Sequence, residues 1–222
     1  MTLDELGNKP LVFKDYVNNA GALVTWQDVE FCINNPWQYG LNVIHKDLGT
    51  RIPIKLTPSF WHGKDVPDKR QVMDKVQQGH TLVIDNFSVH SQGTHKLAKS
   101  IEDLFDANCD MHVYCSLEKS SSFGIHCDRP PNFIVQIMGE TEWKVFDKVQ
   151  EGQYNSNNIT EQEAGEVLIQ TILRPGDMLY IPERMYHQAL PFEKRISISI
   201  PFPKRDITSN PIDRRQLKLN AN

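Results

Sequence analysis

Long apolar runs are missing from this 222-residue chain. No stretch approaches the roughly 18 residues that cross a bilayer, and the opening MTLDELGNKP lacks the apolar core of a secretory signal. Neither a helical membrane anchor nor secretion by that route is therefore expected. Cysteine is sparse. Cys32, Cys109, Cys115 and Cys127 form no CxxC pair and show no disulfide-like spacing. They read as free thiols in a reducing compartment, which points to the cytoplasm. A large charge excess is also absent. The formal net charge of −4 gives no general electrostatic reason to expect nucleic acid as a partner. One locally basic stretch, residues 204–218 (KRDITSNPIDRRQLK), reads as a solvated C-terminal tail spanning 204–222. Internal repeats, low-complexity tracts and long linkers are lacking too, so one structural domain is expected. A chain of this length buries roughly 70% of its unfolded surface and needs no staples. Nothing here fixes the oligomeric state, and a homodimer remains open.

What is present changes in texture along the chain. Residues 1–105 carry the helical signals. Thr25-Trp26-Gln27-Asp28 is a capping box opening a helix that Pro36 closes. Pro67 fits the first turn of a second helix, with Val72 and Val76 one turn apart and Gly79 as its stop. A third helix is expected over 95–105, where Leu97, Ile101, Leu104 and Phe105 recur at helical spacing. Between the last two, residues 81–84 (TLVI) read as a strand, and one or two strands of this region are expected to join the later sheet. From about residue 106 the chain turns β-rich, with strands expected at 112–117, 133–138, 141–146, 167–173, 178–181, 187–190 and 195–202. Gly139-Glu140 is a two-residue hairpin link and Pro175-Gly176-Asp177 a turn. Short strands at close intervals after helices imply a mainly β fold, a jelly-roll or barrel over 106–203 with a helical N-terminal region.

One constellation carries chemistry. His126-Cys127-Asp128 precedes the strand at 133–138, and in an extended segment alternate side chains share a face. His126 and Asp128 therefore converge while Cys127 points away. That supplies two thirds of a two-histidine, one-carboxylate facial triad, a set that leaves positions open on iron. Alone, this triplet reads better as a surface pair or a turn. His187 starts a strand 61 residues later, far enough to leave a barrel and return to its mouth. With it the set is complete.

The stretches IHCDRPPNFIVQIMGETEWKVFD and LRPGDMLYIPERMYHQALPFEKRISISIPF resemble the JmjC-type Fe(II)/2-oxoglutarate oxygenases of the cupin superfamily. The style is that of the asparaginyl-hydroxylase and ribosomal-oxygenase branch, with the pattern HxD…NF…QxxGxKxW…PGDxLYxPxxxxH…SxSxxF across residues 110–203. The resemblance implies a double-stranded β-helix core, Fe(II) and 2-oxoglutarate as cofactors, and hydroxylation of a polypeptide side chain. It places His126, Asp128 and His187 on the iron and Asn132 near the cosubstrate. Ser197 and Ser199 fall at small positions facing the pocket, and Trp143 reads as a core aromatic.

The pattern is broken at one place. The family has Lys or Arg, which pairs with the distal carboxylate of 2-oxoglutarate, where this chain has Thr141. Lys144 has the wrong strand parity, and Lys194 alternates outward. Arg195 shares a face with Ser197, in the Arg-x-Ser arrangement that other 2-oxoglutarate oxygenases use, and is the expected anchor. Hydroxyls of Thr141 and Tyr114 are expected to assist. Two alternatives stand beside this reading: a cupin metalloenzyme that does not use 2-oxoglutarate, and a catalytically silent metal-binding module. The aromatics in residues 35–39 and 59–62 either cover the barrel mouth or pack internally.

Overall fold

The computed structural model describes residues 6–59, 63–154 and 158–202. The basic stretch at 204–218, and Phe60, Trp61 and His62, lie outside the described residues. In chain order the elements are β1 (Leu11–Phe13), α1 (Trp26–Asn34), β2 (Gly40–Ile44), β3 (Arg51–Ile52), β4 (Leu56–Ser59), β5 (Lys64–Pro67), α2 (Lys69–Gln77), β6 (Thr81–Asp85) and α3 (Gln92–Phe105). There follow β7 (His112–Ser116), β8 (Asn132–Met138), β9 (Thr141–Val149), α4 (Glu161–Ala164), β10 (Val167–Leu173), β11 (Met178–Ile181), β12 (Met185–Pro191) and β13 (Arg195–Pro201). Every strand pairing among the described residues is antiparallel. One sheet runs β1-β11-β8-β13-β7-β6-β2-β3, a second β10-β9-β12, and β4-β5 is a separate hairpin.

Parity explains both the apolar runs and the polar interruptions within them. On β8 and β13, Phe133, Val135, Ile137, Ile196, Ile198 and Ile200 join the core that also takes Val29, Val72, Ala98, Ile101 and Phe105 from the helices. That face of the large sheet is thus covered by α1, α2 and α3. The opposite face meets the small sheet in a second core of Ile134, Trp143, Val145, Leu179 and Ala189. Asn132, Gln136, Arg195, Ser197 and Ser199 are all buried and interrupt the aliphatic positions. A strand buried on both faces has no solvent side, so polar residues there require a structural or chemical partner.

The helix signals translate into caps. Thr25 Oγ1 accepts from Asp28 N at 3.3 Å while Asp28 Oδ2 accepts from Thr25 N at 2.7 Å. Pro67 does not enter the second helix. It closes β5 opposite Leu56, and Asp68 caps α2 through Arg70 N and Gln71 N, both at 3.0 Å. A strand pairing outcompetes the helical first turn there. The third helix begins at Gln92, earlier than expected, because Ser91 and Thr94 form a capping box. The N-terminal region contributes β1, β2, β3 and β6 to the large sheet, four strands rather than one or two. At the β8–β9 link, Gly139 has φ 72° and a Cβ there would collide with the Lys194 carbonyl, so glycine is required.

Candidate active site

The three expected metal ligands meet between the two sheets. His126 and His187 form an isolated antiparallel bridge, N–H to carbonyl in both directions at 3.1 and 2.8 Å. Their rings are 4.5 Å apart between centroids. A bulge between Met185 and His187 sets the final aim of His187 from β12. Asp128 Oδ1 lies 3.9 Å from His126 Nε2, and Asp128 Oδ2 lies 3.6 Å from His187 Nε2. One ligand atom from each of the three residues lies within 4.8 Å of the others, and Cys127 stands outside the group.

The tautomers follow from the partners. His126 Nδ1 faces the Gly124 carbonyl at 2.9 Å, and His187 Nδ1 faces the Met185 carbonyl at 2.9 Å. A carbonyl only accepts, so both Nδ1 atoms carry the proton and both Nε2 atoms present lone pairs to the shared centre. Burial, then the neighbouring His126, push the His187 imidazole down to about 4, with Asp128 and the Met185 carbonyl opposing. At neutral pH the His187 imidazole is therefore unprotonated. Asn132 Nδ2 donates to Asp128 Oδ2 at 3.2 Å and to Ser199 Oγ at 2.7 Å, which fixes the carboxylate from β8.

The depressed imidazole has a consequence for the metal-free protein. A group whose folded pKa lies below its unfolded value contributes stability above the unfolded value, near 6.5, and loses it as pH falls toward 4. Folding stability of the metal-free protein should therefore fall as pH drops through that window, by at most about 1.4 kcal/mol per pH unit. Urea unfolding of the chelator-treated protein is expected to show this acid slope, and His187→Gln to flatten it. Equal slopes in the two proteins would refute the assignment.

The triad borders a cavity of about 430 Å³, its open mouth included, lined by Tyr114, Asn132, Trp143, Arg195 and Ser197 among others. Arg195 is buried at 2% exposure, and its Nη2 donates to Ser122 Oγ at 2.6 Å. No carboxylate pairs with it among the described residues, and its Nε has no acceptor. Burial brings the guanidinium down to about 10, which still leaves it charged at neutral pH. Ser197 Oγ donates to Gln136 Oε1 at 2.9 Å, while Gln136 Nε2 holds the carbonyls of Met138 and Gly139. Lys144 does turn outward, to Glu161 at 2.9 Å, and Lys194 is exposed. Thr141 is buried with an unpartnered hydroxyl but is not among the residues lining the cavity. The β9–β12 ladder explains why. Val145 pairs with His187, Trp143 with Ala189 and Thr141 with Pro191, so Thr141 lies two steps from the triad.

Sequence reasoning missed the loop over Arg195. Ser122, at φ 49°, donates to Thr81 Oγ1 at 3.2 Å, and Thr81 shares a hydrogen bond of 2.8 Å with Ser120. The serine run at 120–122 and the polar Gln136 inside an apolar strand were the available signals. An outer cleft of about 800 Å³ continues from the cavity, sharing Tyr114, Phe123, Asp128, Asn132 and Ser199. Its further lining includes Arg51, Asp85, His112 and Arg129. His112 Nδ1 donates to Asp85 Oδ1 at 2.7 Å. Burial alone would lower this imidazole, but the bond and charge of Asp85 outweigh it and raise the pKa. Strands β2, β3 and β6 wall the outer cleft, whereas the helices pack behind the sheet. Trp37 lines a separate groove with Pro58 and Val66, and Tyr39 is buried against His90, so these two aromatics do not line the mouth.

A family model described as the JmjC domain matches residues 83–209, more than half of the chain. The chain belongs to the JmjC-domain family. A bifunctional lysine-specific demethylase and histidyl-hydroxylase NO66 from Drosophila persimilis is 27% identical over 172 residues, covering 77% of this chain and 24% of that protein. The NO66 of Aedes aegypti is 25% identical over 117 residues, 51% of this chain and 18% of that one. Among solved structures, ycfD of Escherichia coli superposes with TM-score 0.62 at 21% identity, covering 90% of this chain and 51% of that one. The chain thus spans about a quarter of its NO66 relative from D. persimilis and half of ycfD. The likeness to ycfD establishes the shared cupin-type fold of this JmjC chain. A second ycfD structure, of the ribosomal oxygenase in complex with cobalt and 2-oxoglutarate, superposes at 0.61 with 19% identity, covering 90% and 49% of the two chains.

Proposed function

We propose that the chain is an Fe(II)- and 2-oxoglutarate-dependent oxygenase that hydroxylates a side chain of a polypeptide. One observation carries this reading: a single cavity joins a His–Asp–His face to a buried arginine that has no counter-anion among the described residues. Two neutral imidazoles and one carboxylate suit a divalent iron and leave positions on it for a cosubstrate and dioxygen. The buried cation and the unpartnered donor Nε suit an acceptor-only, dianionic ligand such as 2-oxoglutarate. Bound iron and 2-oxoglutarate would supply the chemistry with dioxygen as the oxidant: one oxygen atom ends in succinate, with CO2 released, and the other in the product hydroxyl.

The residues of this chain do the rest. His126, Asp128 and His187 hold the metal, and Asn132 keeps the Asp128 carboxylate in place. Arg195 takes the distal carboxylate of the cosubstrate, with Ser197, Tyr114 and Asn132 along its length. Thr141 stands two ladder steps from the triad, with a hydroxyl still to be partnered. The outer cleft admits the substrate. There Asp85 fixes the Nδ1 proton of His112, which lines the cleft. A polypeptide substrate is supported by the names of the relatives, histidyl-hydroxylase for NO66 and ribosomal oxygenase for ycfD. Among the described residues no helix is long and apolar enough to cross a membrane. A reducing, cytoplasmic setting is supported by Cys32, Cys109, Cys115 and Cys127, all of them free thiols.

Protein supplied with Fe(II), ascorbate and 2-oxoglutarate is expected to release succinate slowly without substrate, and Asp128→Ala to release none above an iron blank. Absence of turnover, together with no binding of N-oxalylglycine to the metal-loaded protein, would overturn the reading.

A further inference from the structure

Trp143 reads as a packing residue in the sequence, and a phenylalanine could fill that role. Its indole does more than pack. The side chain is 6% exposed, lines the inner cavity from β9, and lies 6.1 Å from the His187 ring between centroids. Its Nε1–H is enclosed with no acceptor among the described residues. Buried polar groups are nearly always paired, so a stranded indole N–H beside a cavity marks the place of a missing acceptor. The same cavity holds a second stranded donor, Arg195 Nε. An indole N–H only donates, and so does a guanidinium. Two donors without acceptors on one cavity select a ligand that offers acceptors there, while the third stranded atom on its lining, Asn132 Oδ1, calls for a donor such as water.

We infer that Trp143 Nε1–H is a direct hydrogen-bond donor to a carboxylate of 2-oxoglutarate, acting beside Arg195. The inference rests on the 2-oxoglutarate reading and deepens it. A carboxylate offers about four lone-pair positions, more than one edge of a guanidinium fills. Arg195 has one nitrogen committed to Ser122, so it supplies the charge but not the whole set of contacts. Trp143 is two residues beyond Thr141 on the same face of β9, the face from which the family's missing cation would reach. A neutral N–H there sets direction and leaves the neutralising charge to Arg195.

The test uses Zn(II)-loaded protein labelled with 15N at the indole nitrogens. The four tryptophans, Trp26, Trp37, Trp61 and Trp143, give up to four indole N–H cross-peaks, assigned by replacing each with Phe. Should Trp143→Phe not fold, its peak is assigned by elimination from the other three variants. Saturation with 2-oxoglutarate is expected to move the Trp143 peak downfield. Trp143→Phe is expected to raise the Kd for 2-oxoglutarate about 10-fold or more, the scale of one donor to a charged acceptor, with Zn(II) affinity unchanged. Failure of the wild-type protein to bind 2-oxoglutarate at all sinks the functional reading, and this inference with it. Normal binding with an unmoved Trp143 peak, or with unchanged affinity in a folded Trp143→Phe, overturns the inference alone.

Discussion

Alanine at His126, Asp128 or His187 is expected to weaken Fe(II) or Mn(II) binding by more than about 100-fold while the secondary structure persists. Partners that merely orient metal ligands already change affinity by about 10- to 100-fold, and loss of a ligand atom exceeds that. The site is built with little redundancy. Each histidine spends Nδ1 on a backbone carbonyl, so neither ring can offer a second nitrogen without breaking that bond. Asp128 is the only carboxylate among the cavity-lining residues, and its loss removes the sole negative charge facing a dication. The largest effect is therefore expected for Asp128→Ala. His187→Ala empties a fully enclosed position and also removes the acid-labile imidazole, so its metal-free form should resist mild acid better than the wild type. Calorimetric titration of each variant with metal, alongside circular dichroism, measures this. Wild-type affinity in any of the three would remove that residue from the ligand set.

The triad was legible in the sequence because its signals are local. An alternating HxD and a histidine near the start of a strand, two residues inside β12, need only strand geometry to be read. The β-rich half was equally open, since turn residues such as Gly139 and Gly176 punctuate strands whose hydrophobic content is high. Pro67 misled because two local structures both accept it, and the β4–β5 pairing that decided the matter is a contact with Leu56, eleven residues away. The wall of the outer cleft was hidden for a similar reason. β2 and β3 are short, and β2 enters the large sheet only by pairing with β6 across α2. Hydroxyl networks are the least legible of all. Ser120 and Ser122 look like loop residues until Arg195, more than 70 positions later, is laid against them.

Arg195→Ala is expected to weaken 2-oxoglutarate binding by about 30- to 1,000-fold, or about 2–4 kcal/mol, with metal affinity nearly unchanged. The size follows from what the mutation strands. In the complex the distal carboxylate would sit in a partly dry cavity, where a charge without a partner is costly. Lys144 and Lys194 turn to the surface, and Arg129 is exposed on the outer cleft, so none of them replaces the lost cation without rebuilding a strand. Arg195→Lys should recover only part of the affinity, because an ammonium cannot reproduce a planar fork and cannot hold Ser122 and a carboxylate in the same geometry. Stability should move the other way. Without cosubstrate, Arg195 is a buried cation that no carboxylate balances among the described residues, and a protein does not gain by keeping such a charge for packing alone. Arg195→Met, which keeps the volume and discards the charge, is expected to unfold at a Tm equal to or above that of the wild type in the absence of 2-oxoglutarate. Added 2-oxoglutarate should raise the Tm of the metal-loaded wild type and leave the Met variant unmoved. The two measurements separate an anchor from a structural arginine. A structural residue would lower the Tm when replaced, and the cosubstrate would still stabilise what remained folded.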